Sequence, residues 1–173
     1  MKNALSIFLA IAALIGMACD DQGPAQPDLL QVMQGTFKGK IIKFIWGTDT
    51  LIPRDMFVTL DLLAADSFTN AVRDSSGALL FDNSGTWSVT QSTVTTIASR
   101  CNSLGQPVPS AQQDLCTQPA AIERITNDSL AIPFSSVAGT CVMMGFDLSV
   151  LDTSALLRMM AQAYKIPMKR SAP

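Results

Sequence analysis

Four cysteines are the residues whose chemistry the sequence defines most directly: Cys19, Cys101, Cys116 and Cys141. Cys101 and Cys116 bracket a segment rich in Pro, Gly and Gln. A bridge between them closes a loop of about 15 residues, worth roughly 3 kcal/mol on a chain-entropy model. We predict this disulfide, with Cys141 as an alternative partner. The cysteines form no Cys-x-x-Cys pair and the chain contains no histidine, so we predict no metal site.

Acidic and nucleophilic side chains do not form a recognisable catalytic set. The absence of histidine excludes a Ser-His-Asp triad, and no Gly-x-Ser-x-Gly turn is present. Glu123 could act as a general acid, but it adjoins Arg124 in a strand pattern, where neighbouring side chains point to opposite faces. We interpret Glu123 as a surface charge. The sequence therefore predicts no catalytic residue, no cofactor and a protein that is not an enzyme.

One short segment resembles a catalytic signature. Val150-Leu151-Asp152-Thr153-Ser154-Ala155 is similar to the aspartic protease motif, in which two aspartates share a proton and activate water. Ser154 replaces the glycine of that motif, and a helical pattern follows at once. We interpret Asp152 as the N-cap of a helix.

The N-terminus carries the features of an export signal. Lys2 precedes an apolar run over 4–18, which is too short to cross a bilayer comfortably and has the length of a signal-peptide core. Ile15-Gly16-Met17-Ala18-Cys19 resembles a bacterial lipobox, which implies cleavage after residue 18 and acylation of Cys19. Simple secretion is the alternative, because Gly16 and Ala18 also suit an ordinary signal peptidase.

Residues 19–28 are predicted to form the lipidated cysteine and a flexible tether, since they contain Pro and Gly and no large apolar side chain. We expect an exported protein attached through acylated Cys19 to the bacterial envelope, at the outer membrane; a soluble secreted or periplasmic protein is the alternative. The 173-residue chain is 48% hydrophobic and 15% charged, with a net charge of −2. These values exclude disorder and a nucleic-acid partner.

The remaining residues, 29–173, are predicted to form a single β-rich domain. Asp28 is placed to cap a short helix that ends at Gly35, and most of the following patterns alternate with a period of two. Asp82-Asn83-Ser84-Gly85 has the composition of a turn, and the residues after Pro167 are expected to fray. The predicted elements are a helix over 29–34, strands over 35–46 (irregular near residues 41–42), 56–63, 66–74, 78–81, 86–91, 93–98, 121–126, 130–134 and 140–150, and a C-terminal helix over 153–165.

This order resembles the lipocalin or calycin family. Gly35-Thr36-Phe37 stands where that family has Gly-x-Trp on its first strand, and a helix is expected after the last strand, as there. The Trp of the family is Phe37 here, and no Arg is identified as the one that packs on it. The resemblance implies a small antiparallel β-barrel, an eight- to nine-stranded meander; a β-sandwich is the alternative.

Two functions remain open at this point. The first is a membrane-anchored, non-catalytic protein whose β-domain binds a small apolar ligand. The second is a structural or partner-binding envelope lipoprotein with a solid core and no ligand, since a small barrel can be filled by its own side chains. The protein partner in that case is unknown. The residues expected to line an apolar cavity are Phe37, Trp87, Val142, Met144 and Phe146.

Overall fold

Antiparallel strands make up most of the structure. The computed structural model describes residues 28–41, 44–46, 49–52, 54–133, 136, 140–141, 143–144 and 165–172. Its elements are helix α1 (Leu29–Met33), strands β1 (Gly35–Ile41), β2 (Phe44–Trp46), β3 (Asp49–Ile52), β4 (Met56–Leu62), β5 (Ser67–Asp74), β6 (Leu79–Val89), β7 (Thr93–Ser103) and β8 (Gln106–Pro107), a 3-10 turn (Ser110–Gln112), helix α2 (Gln113–Thr117), and strands β9 (Ala120–Thr126), β10 (Ser129–Pro133) and β11 (Lys165–Arg170).

Eight of these strands close into a barrel. They follow the order β1-β4-β5-β6-β7-β9-β10-β11, and β11 pairs with β1 to complete the ring. Each strand is antiparallel to its neighbours, and β8 extends the sheet as a short addition to β7. The predicted meander barrel is thus confirmed. The β-sandwich alternative is wrong, because one sheet closes on itself.

The barrel core follows from alternating side chains. Met56, Val58, Leu60 and Leu62 on β4 are buried, whereas the residues between them are exposed or half-buried. Successive side chains of a strand point to opposite faces, so the apolar set of each strand enters the barrel together. The burial of this set is the main stabilising contribution, at roughly 25 cal/mol for each Å² of apolar surface removed from water.

Helix α1 lies beside the first residues of β1, at what we call the α1 end of the barrel. The side chain of Asp28 accepts a hydrogen bond from Leu30 N at 3.0 Å, and Met33 is fully buried. Gly35 follows with φ +144°, a backbone conformation that favours glycine. The predicted helix and both of its end signals are therefore present.

An arginine from the last strand closes the α1 end. The guanidinium of Arg170 lies 4.9 Å from the ring centroid of buried Phe37. It also donates hydrogen bonds to the carbonyl oxygens of Val32, Gln34 and Asn127. Arg170 thus joins α1, β1 and the β9–β10 turn. Phe37 does have an arginine packed on it, and that residue lies in a segment that the sequence predicted to fray.

The C-terminal segment is a strand. Ile166 and Met168 are buried, and Pro167 between them is exposed. This alternation of buried and exposed side chains is that of a strand, so the prediction that the residues after Pro167 fray is wrong. The predicted helix 153–165 lies outside the described residues except for Lys165, which begins β11.

Strand β6 runs through the predicted turn at residues 82–85. The turn prediction is wrong because β5 and β7 supply hydrogen-bonding partners on both sides of this segment. A register shift lies between Ser84 and Gly85. A Cβ on Gly85 would lie 2.8 Å from Ala98 Cα, so glycine here permits close approach of the two backbones.

The predicted strand over 140–150 is also wrong where it is described. Thr140, Cys141 and Met143 have helical backbone, as does Ser136, and Met144 N donates to Thr140 O at 3.0 Å. Alternating apolar residues here did not specify a strand, because the described residues bury Cys141, Met143 and Met144 from a helical turn. Residues 145–150 lie outside the described part of the chain.

The β5–β6 turn lies between the strands predicted over 66–74 and 78–81. Asp74 Oδ1 accepts hydrogen bonds from Ser76 N at 2.9 Å, Ser76 Oγ at 2.5 Å and Ala78 N at 3.1 Å. The hydrogen bond from the Ser76 hydroxyl is the main reason that the pKa of Asp74 falls below its ordinary 3.8. Gly77 has φ +86°, which suits a tight turn.

Candidate functional site

A cavity of about 240 Å³ lies inside the barrel. Its wall is built from the inward-facing residues of several strands, because the period-two alternation brings them to one surface. The apolar side chains of this wall include Val58, Leu60, Phe68, Val72, Ile122 and Ile166. This apolar lining resembles that of small-molecule pockets, and its volume is slightly below their common range of roughly 300–1,000 Å³.

Two asparagines interrupt the apolar wall. Asn70 on β5 and Asn83 on β6 are directly opposite each other in the strand register, and both line the cavity. The Oδ1 atom of each is buried and has no hydrogen-bond partner. A buried acceptor without a partner costs about 1–3 kcal/mol. The pair is therefore an energetic liability to the fold unless something in the cavity hydrogen-bonds to it.

Helix α2 forms part of the cavity rim and is tied to the barrel by a disulfide. Cys116 on α2 is bonded to Cys101 on β7, with the two Cα atoms 6.4 Å apart. Leu115 and Cys116 both line the cavity. Gln113 Nε2 also donates to Val108 O at 2.9 Å, which holds the start of the helix to the loop before it. The predicted Cys101–Cys116 disulfide is confirmed, and it positions cavity residues.

The helical residues after β10 contribute a second part of the rim. Ser136, Thr140 and Met143 line the cavity, and Thr140 Oγ1 donates to Ser136 O at 3.1 Å. This bond satisfies the Thr140 hydroxyl proton within its own segment. The rim thus contains both polar and apolar side chains, whereas the wall is apolar apart from the two asparagines and Thr96.

Three of the five residues expected to line the cavity, Phe37, Trp87 and Met144, are described, and none of the three is part of its lining. Phe37 and Trp87 are buried but pack towards the α1 end, where Trp87 Nε1 donates to Leu63 O at 3.0 Å. Met144 is buried, and its neighbour Met143 lines the cavity. The other expected positions, Val142 and Phe146, lie outside the described residues, as do Cys19 and Asp152.

Sequence reasoning missed Asn70 and Asn83. Each occupies an inward position of its strand, in step with the apolar residues two positions away. A polar residue at an apolar position of an alternating strand was the available signal. It was obscured because Asn83 lies in the stretch that was interpreted as a turn.

The ionisable groups described do not form a reactive set. Burial raises the pKa of the free Cys141 thiol to about 12, which keeps it protonated and weakly nucleophilic at neutral pH. Glu123 is half-buried and forms an ion pair with Lys165. Among the described residues, no group of three or more His, Cys, Asp or Glu side chains could hold a metal ion. No helix in that part of the chain has the length and apolar character to cross a membrane.

Comparisons of the chain with protein-family models, with curated proteins and with solved structures gave no match.

Proposed function

We propose that this protein is a membrane-anchored, non-catalytic envelope lipoprotein whose β-barrel binds a small apolar ligand. The observation that carries the proposal is the apolar cavity of about 240 Å³ within the barrel. At about 30 Å³ for each water of the liquid, this space accommodates a ligand on the order of ten non-hydrogen atoms. The cavity favours ligand binding over the alternative, a structural or partner-binding protein with a solid core.

The anchor in this proposal is an acyl group on Cys19, supported by the lipobox-like sequence and the apolar run before it. Because Cys101 and Cys116 form a disulfide, an acylated Cys19 leaves Cys141 as the remaining thiol. Thiol titration of the denatured, unreduced protein therefore tests the anchor. One thiol per chain is the expected result. Two thiols, or none because Cys19 is bonded to Cys141, would show that Cys19 is not acylated.

A native mass spectrum of the protein purified from its own membranes tests ligand binding. We expect a mass excess that is lost on denaturation, which is the bound ligand, beside an excess that persists, which is the acyl group. A spectrum without the first component, together with no uptake of added apolar molecules, contradicts ligand binding.

A matched pair of substitutions locates the ligand. Ile122 is buried and lines the cavity, whereas Ile97 is 46% exposed on the outside of the barrel. Ile122→Phe should fill part of the cavity and reduce the ligand-bound fraction. Ile97→Phe makes the same chemical change outside the cavity and should leave binding intact. Equal effects of both substitutions would place the ligand elsewhere.

A further inference from the structure

The Asn70–Asn83 pair gives the cavity a chemical preference, and the argument rests on the proposed function. Their two Oδ1 atoms are buried without partners, on adjacent strands and directly opposite in register. We infer that the cavity selects an uncharged amphipathic ligand, an aliphatic chain carrying a hydroxyl or amide group, and that this group hydrogen-bonds to Asn70 and Asn83.

Hydrogen bonding to the two asparagines favours a ligand that carries a hydroxyl or amide group. A carboxamide offers one acceptor and two donors, and a hydroxyl both donates and accepts. A ligand hydroxyl therefore pairs with either end of each asparagine side chain. A wholly apolar ligand leaves both Oδ1 acceptors without partners and does not gain the free energy of these hydrogen bonds.

The cavity lining disfavours a ligand that carries a charge. None of the described residues that line the cavity carries an ionised side chain, since Cys116 is held in the disulfide. A carboxylate placed there loses its hydration and finds no counter-charge. The same objection applies to an ammonium group. The surroundings of the two asparagines therefore suit a neutral polar group and reject its ionised analogues.

The position of Asn70 on its strand favours a ligand with one polar end. Phe68 and Val72 flank Asn70 on the same face of β5, and both line the cavity. The side chains next to Asn70 on this face are therefore apolar, and α2 and Ser136 add polar and apolar residues to the same cavity. A chain with one polar end fits this division, with its head on the asparagines and its tail against the aliphatic side chains.

The experiment compares 1-octanol with octanoate, which share a chain length and differ in the charge of the head group. Their affinities for the full protein are measured by calorimetric titration at neutral pH. We expect 1-octanol to bind at least about 100-fold more tightly, since an unpaired buried ion costs several kcal/mol. If neither compound binds, the proposed function itself is contradicted. If octanoate binds as well as 1-octanol, ligand binding stands and the inference is overturned.

Three variants then test the asparagines. Asn70→Leu and Asn83→Leu should each weaken 1-octanol binding by about fivefold to tenfold, the worth of one hydrogen bond. Ser88→Leu places the same side chain at an exposed position of β6 and should leave the affinity unchanged. Urea unfolding checks that each variant is folded, and the two asparagine variants should be at least as stable as the parent. Unchanged 1-octanol affinity in folded Leu variants would mean that the pair meets only water, and would overturn the inference.

Discussion

Replacement of Arg170 by methionine tests how much stability arises at the α1 end of the barrel. The substitution retains an apolar stem and removes the guanidinium. It therefore abolishes the contact with the Phe37 ring and the hydrogen bonds to the carbonyl oxygens of Val32, Gln34 and Asn127. It also removes the ion pair between Nε and Asp128 Oδ1, which are 2.9 Å apart.

The magnitude follows from the burial of each partner. A cation–π contact contributes about 0.5–2 kcal/mol, and Phe37 is fully buried, which favours the upper half of that range. A hydrogen bond from a charged donor contributes about 1.5–3 kcal/mol, but the Arg170 side chain is 23% exposed, so water can replace part of this. Asp128 is 78% exposed, and its ion pair adds little. Because these contributions overlap, we expect a loss of about 3–5 kcal/mol.

Urea unfolding followed by circular dichroism measures this loss. With a slope of about 2 kcal/mol per molar urea, the midpoint should fall by about 1.5–2.5 M. Lys169→Met changes the adjacent, exposed side chain and should shift the midpoint by less than about 0.3 M. Asp128→Ala should cost less than about 1 kcal/mol. A loss below about 1 kcal/mol for Arg170→Met, or equal shifts for the two methionine variants, would refute the assignment of Arg170 as the residue that closes this end.

Three further predictions concern separate parts of the barrel. Replacing Cys101 and Cys116 by serine should lower the free energy of unfolding by about 3 kcal/mol in urea titrations and weaken 1-octanol binding, because α2 carries part of the cavity rim. Asp74→Ala should destabilise the protein at neutral pH. The pKa of Asp74 is lowered in the folded state, so its contribution to stability is complete above the unfolded pKa near 3.8 and is lost as pH falls through the folded pKa. The free energies of unfolding of the parent and of Asp74→Ala, measured across this pH range, should therefore converge as the pH falls. Gly85→Ala should cost about 1–3 kcal/mol in thermal unfolding, because its Cβ meets the β7 backbone, and a cost no greater than that of Ser88→Ala would contradict this.

The local signals in the sequence predicted elements whose stabilising contacts are also local. Asp28 and Gly35 mark the ends of α1 because a cap and a positive φ involve neighbouring residues. The alternation over β4 identifies a strand because one face must be buried whatever lies opposite. The Cys101–Cys116 bridge was predictable because the loop between them is short.

Misassigned segments are those whose conformation depends on distant partners. Asn83, Ser84 and Gly85 have turn propensities, yet β5 and β7 supply a ladder on both sides and hold them in β6. Lys165–Arg170 is a strand because β1 and β10 supply hydrogen-bonding partners on both of its sides. Thr140, Cys141 and Met143 belong to a sequence that alternates like a strand, but their backbone is helical.

The amino-acid sequence by itself determined the class of the fold: a mainly β chain with one short-range disulfide and a surplus of apolar side chains for a core. Tertiary structure decided the features on which the proposed function depends. Arg170 reaches Gln34 across 136 positions of sequence, and Asn70 faces Asn83 because two strands adopt one particular register. The cavity is the space that remains after all inward side chains have packed. Its volume is the difference between the barrel interior and the side chains that fill it, and no local sequence pattern encodes that difference.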